Sequence, residues 1–115
     1  MRFSTQQVHY FLAAVREQNF TRAAKSCGVK QPTLSQSLKE LEASLGGALF
    51  RRAHHGVRLT PLGHAVRPHL AAVARAAVKA GETARVFCQA TDSKREAQRG
   101  PLALVIGGEG AGLIG

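Results

Sequence analysis

Val8, Phe11, Leu12 and Val15 recur at i, i+3, i+4 and i+7, the spacing of one apolar stripe on an α-helix. Ser4 stands three residues before Gln7, a capping-box pattern, so the predicted helix starts there and ends near Gln18. Asn19-Phe20-Thr21 interrupts the stripe. Thr21 has the hydroxyl to cap a short second helix from Arg22 to Cys27, in which Ala23-Ala24 admits a close neighbour, and Gly28 suits the left-handed turn that stops it. A third helix is predicted from Gln31 to about Leu45. Pro32 is tolerated in its first turn, Leu34, Leu38, Leu41 and Leu45 form one stripe, and Gly46-Gly47 ends it.

Two short extended runs follow, Ala48 to Arg52 and Val57 to Thr60, joined by Ala53-His54-His55-Gly56; together they read as a hairpin, or wing. Thr60-Pro61 then opens a long helix. Its residues Leu62, Val66, Leu70, Val73, Ala77, Ala80, Ala84 and Phe87 step by fours and threes, an approximate a/d seam that one helix cannot hide alone, so a second copy of the chain is the expected partner. Pro68 and Gly81 interrupt that helix, and a bend is expected around Pro68. Past Ala90 the composition turns polar and then glycine-rich, with one apolar run, Leu102 to Ile106, that reads as a strand. The expected fold class is mainly α: a winged helix-turn-helix over residues 1–60, a dimerisation helix over 61–90 and a flexible Gly-rich tail over 91–115.

A chain of 115 residues has room for one modest core, which argues against a two-domain enzyme. Lys and Arg number 16 against 7 Asp and Glu, a net charge of +9 with His neutral, and an anionic partner follows from that balance. The distribution sharpens the point. Residues 1–90 hold 13 Lys/Arg and 4 Asp/Glu, whereas residues 91–115 hold 3 of each, so the excess lies on the part predicted to fold. No apolar run approaches the roughly 20 residues needed to span a bilayer, and no signal-peptide pattern opens the chain; a cytoplasmic protein is expected. Cys27 and Cys88 are far apart and without ligand-spaced companions, which predicts free thiols and no metal.

Two short helices joined through Gly28 and Val29, the second polar at its start, form the arrangement that places a helix in the major groove. Gln31, Thr33, Gln36 and Lys39 lie off the leucine stripe, where amides pair with adenine, hydroxyls with bases or phosphate, and ammonium with guanine or phosphate. Five submotifs support that order of elements: Phe20-Thr21-x-Ala23-Ala24, Gln31-Pro32-x-x-Ser35, Leu41-Glu42-x-x-Leu45-Gly46, Leu49-Phe50-x-Arg52 and Leu59-Thr60-x-x-Gly63. In spacing and identity they resemble the N-terminal part of the LysR-type transcriptional regulators, over residues 3 to about 90. The resemblance implies a winged helix-turn-helix, pairing of two chains through the long helix, and sequence-specific binding of double-stranded DNA. Carried over residue by residue, it implies base contacts from Gln31, Pro32, Thr33, Ser35, Gln36 and Lys39. It also implies phosphate contacts from Thr21, Arg22 and Arg52, and a minor-groove approach by His54, His55 and Arg58.

The chain departs from the family pattern in places. His54-His55 stands where the family often has arginine, a stronger cation near neutral pH. Lys30 occupies a position commonly held by Ser or Thr; it cannot cap the third helix and is instead a candidate phosphate contact. Glu42 is expected to serve structure, because a carboxylate facing phosphate repels it, and Cys27 is expected to act as a small buried hydrophobe. Gly100 to Gly107 resembles the first strand of the family's effector-binding domain, so the chain is expected to be a truncated form, able to respond to a small-molecule effector only with the rest of that domain. Gly110-Ala111-Gly112-Leu113-Ile114-Gly115 matches G-x-G-x-x-G, but no helix or second strand follows, so no cofactor is expected. The five His lack i, i+4 pairing, and no nucleophile–base pair stands out, which predicts neither a metal site nor catalysis. The alternative left open is a protein-interaction module that uses the apolar-seamed helix.

Overall fold

The computed structural model describes residues 2–97. Its elements run α1 (Thr5–Glu17), α2 (Phe20–Cys27), α3 (Gln31–Leu45), β1 (Phe50–Arg52), β2 (Val57–Leu59) and α4 (Pro61–Ala97). The expected strand at Leu102 to Ile106 and the glycine motif at Gly110 to Gly115 lie outside the described residues.

The caps explain the helix limits. The Ser4 hydroxyl accepts from the Gln7 backbone N–H at 3.1 Å, while the Gln7 side chain accepts from the Ser4 N–H, a complete capping box. α2 corrects the expected start: its cap is Asn19, whose Oδ1 accepts from the Arg22 N–H at 2.8 Å, and Thr21 falls within the first turn. Asn is at least as good a cap as Thr and stands earlier in the chain, so it takes the position. α3 starts behind Lys30, which makes no side-chain cap; the Lys30 carbonyl accepts from the Thr33 and Leu34 N–H groups instead.

Three helices enclose one core. Phe11, Leu34, Leu41, Leu49 and Val8 are its fully buried large side chains, drawn from α1, α3 and the approach to the wing. α1 is buried more widely than one stripe predicts, since Tyr10, Ala13 and Ala14 are also covered, because α2 and α3 pack against different sides of it. Ala23 and Ala24 of α2 are buried, as the small side chains require. Cys27 packs at the edge of this core, and both cysteines are free thiols.

The wing is a two-stranded antiparallel sheet in which Phe50 faces Leu59, Arg51 faces Arg58 and Arg52 faces Val57. It is seated by backbone contact. Gly56 has φ +87°, and a Cβ there would lie 2.1 Å from the Gln18 carbonyl oxygen, the same oxygen that accepts from the Val57 N–H at 3.1 Å. Gly63, in the first turn of α4, is equally constrained: a Cβ would approach the Leu49 carbonyl oxygen to 2.4 Å. The Thr60 hydroxyl caps α4 by accepting from the Gly63 N–H at 3.0 Å and donates to the Ala48 carbonyl at 2.6 Å.

The chain divides into one unit ending at Val78 and a second from Lys79. The first therefore extends beyond the expected boundary at Thr60. The reason is in the seam: Leu70 is buried in the core, and Leu62, Val66, Val73 and Ala74 pack against it. Of the eight residues expected to meet a second chain, Leu70 is thus buried in its own head and Leu62, Val66 and Val73 are partly buried against it. Pro68 does not end α4, which continues through Gly81. In the second unit Ala80, Ala84, Val86 and Phe87 are exposed, Phe87 to 66%.

Candidate nucleic-acid interface

The segment from α2 to α3 is a tight turn. Gly28 adopts φ +72°, its N–H bonds back to the Ala24 and Lys25 carbonyls, and the Val29 N–H bonds to Ala24 as well, so the last carbonyls of α2 are satisfied within three residues. The turn leaves the N-terminal half of α3 facing outward. Gln31, Pro32, Thr33, Gln36 and Lys39 are exposed and Ser35 is half-buried, while Leu34, Leu38 and Leu41 point into the core.

Two sets of side chains emerge on that outward face. Gln31 donates through Nε2 to the Ser35 hydroxyl at 3.0 Å, one turn along, and these two residues with Lys39 line a groove of about 360 Å³ between α3 and the wing. Arg51 and Arg52 form its opposite side, and Phe20, Leu38, Glu42, Phe50 and Val57 also line it. Gln36 belongs to the other set. Its Nε2 donates to Glu40 Oε2 at 3.3 Å, and Gln7 on α1 donates to Glu40 Oε1 at 3.2 Å. Glu40 therefore orients Gln36 from the neighbouring turn. Sequence reasoning passed over Glu40, although its i+4 spacing from Gln36 is the visible signal.

Glu42 sets the distance between α3 and the wing. Its Oε2 accepts from the Leu49 N–H at 2.8 Å and the Phe50 N–H at 3.4 Å, while its own carbonyl accepts from Gly46 and Gly47. The structural role expected for this carboxylate is thus to hold the strand that carries Arg51 and Arg52. Removing it strands the N–H of a fully buried residue, so Glu42→Ala is expected to lower the unfolding free energy by about 2–3 kcal/mol. Glu42→Gln, which keeps one acceptor oxygen, is expected to lose less than half as much. Urea unfolding followed by circular dichroism separates the two; equal losses would mean that the backbone contacts contribute nothing.

The remaining candidates lie on separate parts of the surface. Thr21 and Arg22 are exposed on the first turn of α2. His54 and His55 sit on the loop joining the strands, their rings edge to face at 4.3 Å, and both are exposed. Arg58 is exposed directly across the ladder from Arg51, a residue for which the sequence patterns offered no role. Among the described residues the one ion pair joins Arg16 to the adjacent Glu17 at 3.5 Å, so the basic side chains of α2, α3 and the wing lack carboxylate partners there. No helix among the described residues is long and apolar enough to cross a membrane.

Comparison with known proteins agrees with this geometry. The family model described as the bacterial regulatory helix-turn-helix protein, lysR family, matches residues 5–64. The HTH-type transcriptional regulator BudR of Klebsiella aerogenes is 53% identical over 58 residues, which are 50% of this chain and 41% of the relative. The HTH-type transcriptional regulator IlvR of Caulobacter vibrioides is 38% identical over 98 residues, 85% of this chain and 31% of that protein. The matched segment thus spans less than half of each of these relatives. Among solved structures, a CbnR_DBD-DNA complex is similar with a TM-score of 0.68 and 32% identity, covering 75% of this chain and 99% of the other. With the helices, the turn and the wing in the expected order and the family model covering more than half of its length, this chain belongs to the LysR family of bacterial regulatory helix-turn-helix proteins.

Proposed function

We propose that the chain binds double-stranded DNA sequence-specifically, as a regulator of transcription in the bacterial cytoplasm that performs no catalysis. The observation that carries this reading is the groove in which Gln31, Ser35 and Lys39 of α3 face Arg52 of the wing, its one carboxylate, Glu42, being bonded through Oε2 to the Leu49 and Phe50 N–H groups. A helix presenting amides, a hydroxyl and an ammonium at its start has the donors and acceptors to read base edges, and the flanking arginine suits a phosphate. On this reading Gln31, Pro32, Thr33, Ser35, Gln36 and Lys39 form the base-reading face, and the Lys39 ammonium also reaches a phosphate. Thr21, Arg22, Lys30 and Arg52 meet phosphates, while His54, His55 and Arg58 approach the minor groove. The likeness to a DNA complex of CbnR supports the same docking.

Two copies would bind a partly two-fold-symmetric site, one recognition helix per half-site. Because Leu62, Val66, Leu70 and Val73 lie on the head's own core, pairing would rest chiefly on Ala77, Ala80, Ala84 and Phe87, a thin apolar seam. A small-molecule effector would act only with the further domain that the longer relatives have room for.

The test begins with selection of bound duplexes from a random library, followed by fluorescence anisotropy on the selected site. Gln31→Ala is expected to reduce discrimination at one base pair by about 1–3 kcal/mol, roughly 5- to 150-fold. Lys39→Ala and Arg52→Ala are expected to weaken binding to selected and unselected duplexes together and to flatten the salt dependence. Unchanged binding by all three variants would place the reading face elsewhere.

A further inference from the structure

Gln36 projects away from the core. It stands two residues from both Leu34 and Leu38, which are buried, and residues two apart on an α-helix point to nearly opposite sides. Of the two carboxylates on α3, Glu42 is bonded to the Leu49 and Phe50 N–H groups, whereas Glu40 is exposed beside Gln36. A carboxylate on a surface that meets phosphate weakens binding through repulsion, so Glu40 needs another reason to be there. We propose that Glu40 is a positioning residue that restricts Gln36 to adenine, an inference that rests on the reading of α3 as the base-contacting helix.

Both oxygens of Glu40 are engaged. Gln7 Nε2 on α1 donates to Oε1 at 3.2 Å, and Gln36 Nε2 donates to Oε2 at 3.3 Å. Gln7 is half-buried and is itself held by the capping box of α1, where its Oε1 accepts from the Ser4 N–H at 3.1 Å. The carboxylate is therefore tethered to a second helix and holds the Gln36 amide at one end. Because a carboxylate only accepts, the nitrogen of that amide faces Glu40 and the carbonyl oxygen faces away. Hydrogen bonds to a charged oxygen are stronger than neutral ones, and this one gains further when a duplex excludes water from it.

The consequence lies in what the amide has left to offer. With one N–H on Glu40, Gln36 presents one N–H and one carbonyl oxygen, which match the N7 acceptor and N6–H donor of adenine in the major groove. Guanine presents two acceptors there, N7 and O6, so one of them would face the Gln36 oxygen unpaired. Thymine and cytosine can take only one contact each. Without Glu40 the amide is free to turn and to offer both N–H groups to guanine.

The test uses the 115-residue chain and duplexes carrying A·T or G·C at the base pair whose preference Gln36→Ala removes in library selection. Adenine is expected at that position. Glu40→Ala is expected to reduce the preference for A·T over G·C by about fivefold or more, while binding to unselected duplexes tightens as a negative charge leaves the surface. In the Gln36→Ala background, Glu40→Ala is expected to leave base preference unchanged, because its effect passes through Gln36. Without DNA, the Gln36 side-chain NH2 resonances are expected to move on Glu40→Ala in proton–nitrogen correlation NMR. Unmoved NH2 resonances, guanine at the selected position, or an A·T preference that survives Glu40→Ala each overturn the proposal. So does an effect of Glu40→Ala that persists without Gln36, since Glu40 itself would then touch a base. If no duplex is selected at all, the DNA-binding reading falls with it, whereas a selected site with an unchanged A·T preference overturns the role of Glu40 alone.

Discussion

Between about 50 and 200 mM salt, the affinity of this chain for duplex DNA is expected to fall by three to five orders of magnitude. The basis is the number of cations that meet phosphate on the proposed surface. Arg22, Lys30, Lys39 and Arg52 are exposed on α2, before and on α3, and on the wing, and none is paired with a carboxylate among the described residues. Two copies would bring roughly six to ten phosphate contacts, each releasing condensed counterions, and the logarithm of affinity then falls linearly with the logarithm of salt. An interaction module that used the apolar residues of α4 would behave differently, because burial of Val86 and Phe87 is nearly indifferent to screening in this range. Anisotropy at stepped salt concentrations decides between them, and a flat profile would remove DNA as the partner.

The largest loss of stability is expected from Phe11→Ala, at about 3–5 kcal/mol. Phe11 is fully buried, and its ring lies 5.4 Å from that of Phe50 on the wing. Phe50 in turn meets Phe20 at the start of α2 edge to face at 5.5 Å. The three rings join α1, the wing and the helix-turn-helix through Phe50, so truncating the fully buried Phe11 opens a cavity where α1 meets the wing. A domain stabilised by the usual 5–15 kcal/mol would lose a large fraction of that margin. Phe11→Leu retains most of the volume and is expected to cost less than half as much. Thermal unfolding measures both, and similar values for Leu and Ala would show that the ring contacts with Phe50, rather than the buried volume, hold these parts together.

Much of the interface was legible because its determinants are local. The Gln31-Pro32-x-x-Ser35 pattern, the leucine stripe that turns Gln31 and Lys39 outward, and the glycine behind Cys27 all act over one or two turns. The cap of α2 was misplaced for a local reason too, since Asn19 and Thr21 both have capping side chains, and in the structure it is Asn19 that accepts from an N–H three residues on, that of Arg22. Arg51 escaped notice for another reason. In a strand the residue beside Phe50 turns to the opposite face, and its pairing with Arg58 appears only when the register is known.

By itself, then, the sequence determined the three short helices, their stops, the wing and the outward polar start of α3, because hydrogen bonds one turn apart and apolar periodicity settle each of these within a short segment. Tertiary structure decided the rest. It assigned Leu62, Val66, Leu70 and Val73 to the head's own core, tied Glu42 to the Leu49 and Phe50 N–H groups, and seated Gly56 on the Gln18 carbonyl. Those contacts join residues distant along the chain, and an apolar stripe or a lone charge specifies that it must be covered or balanced without specifying by what.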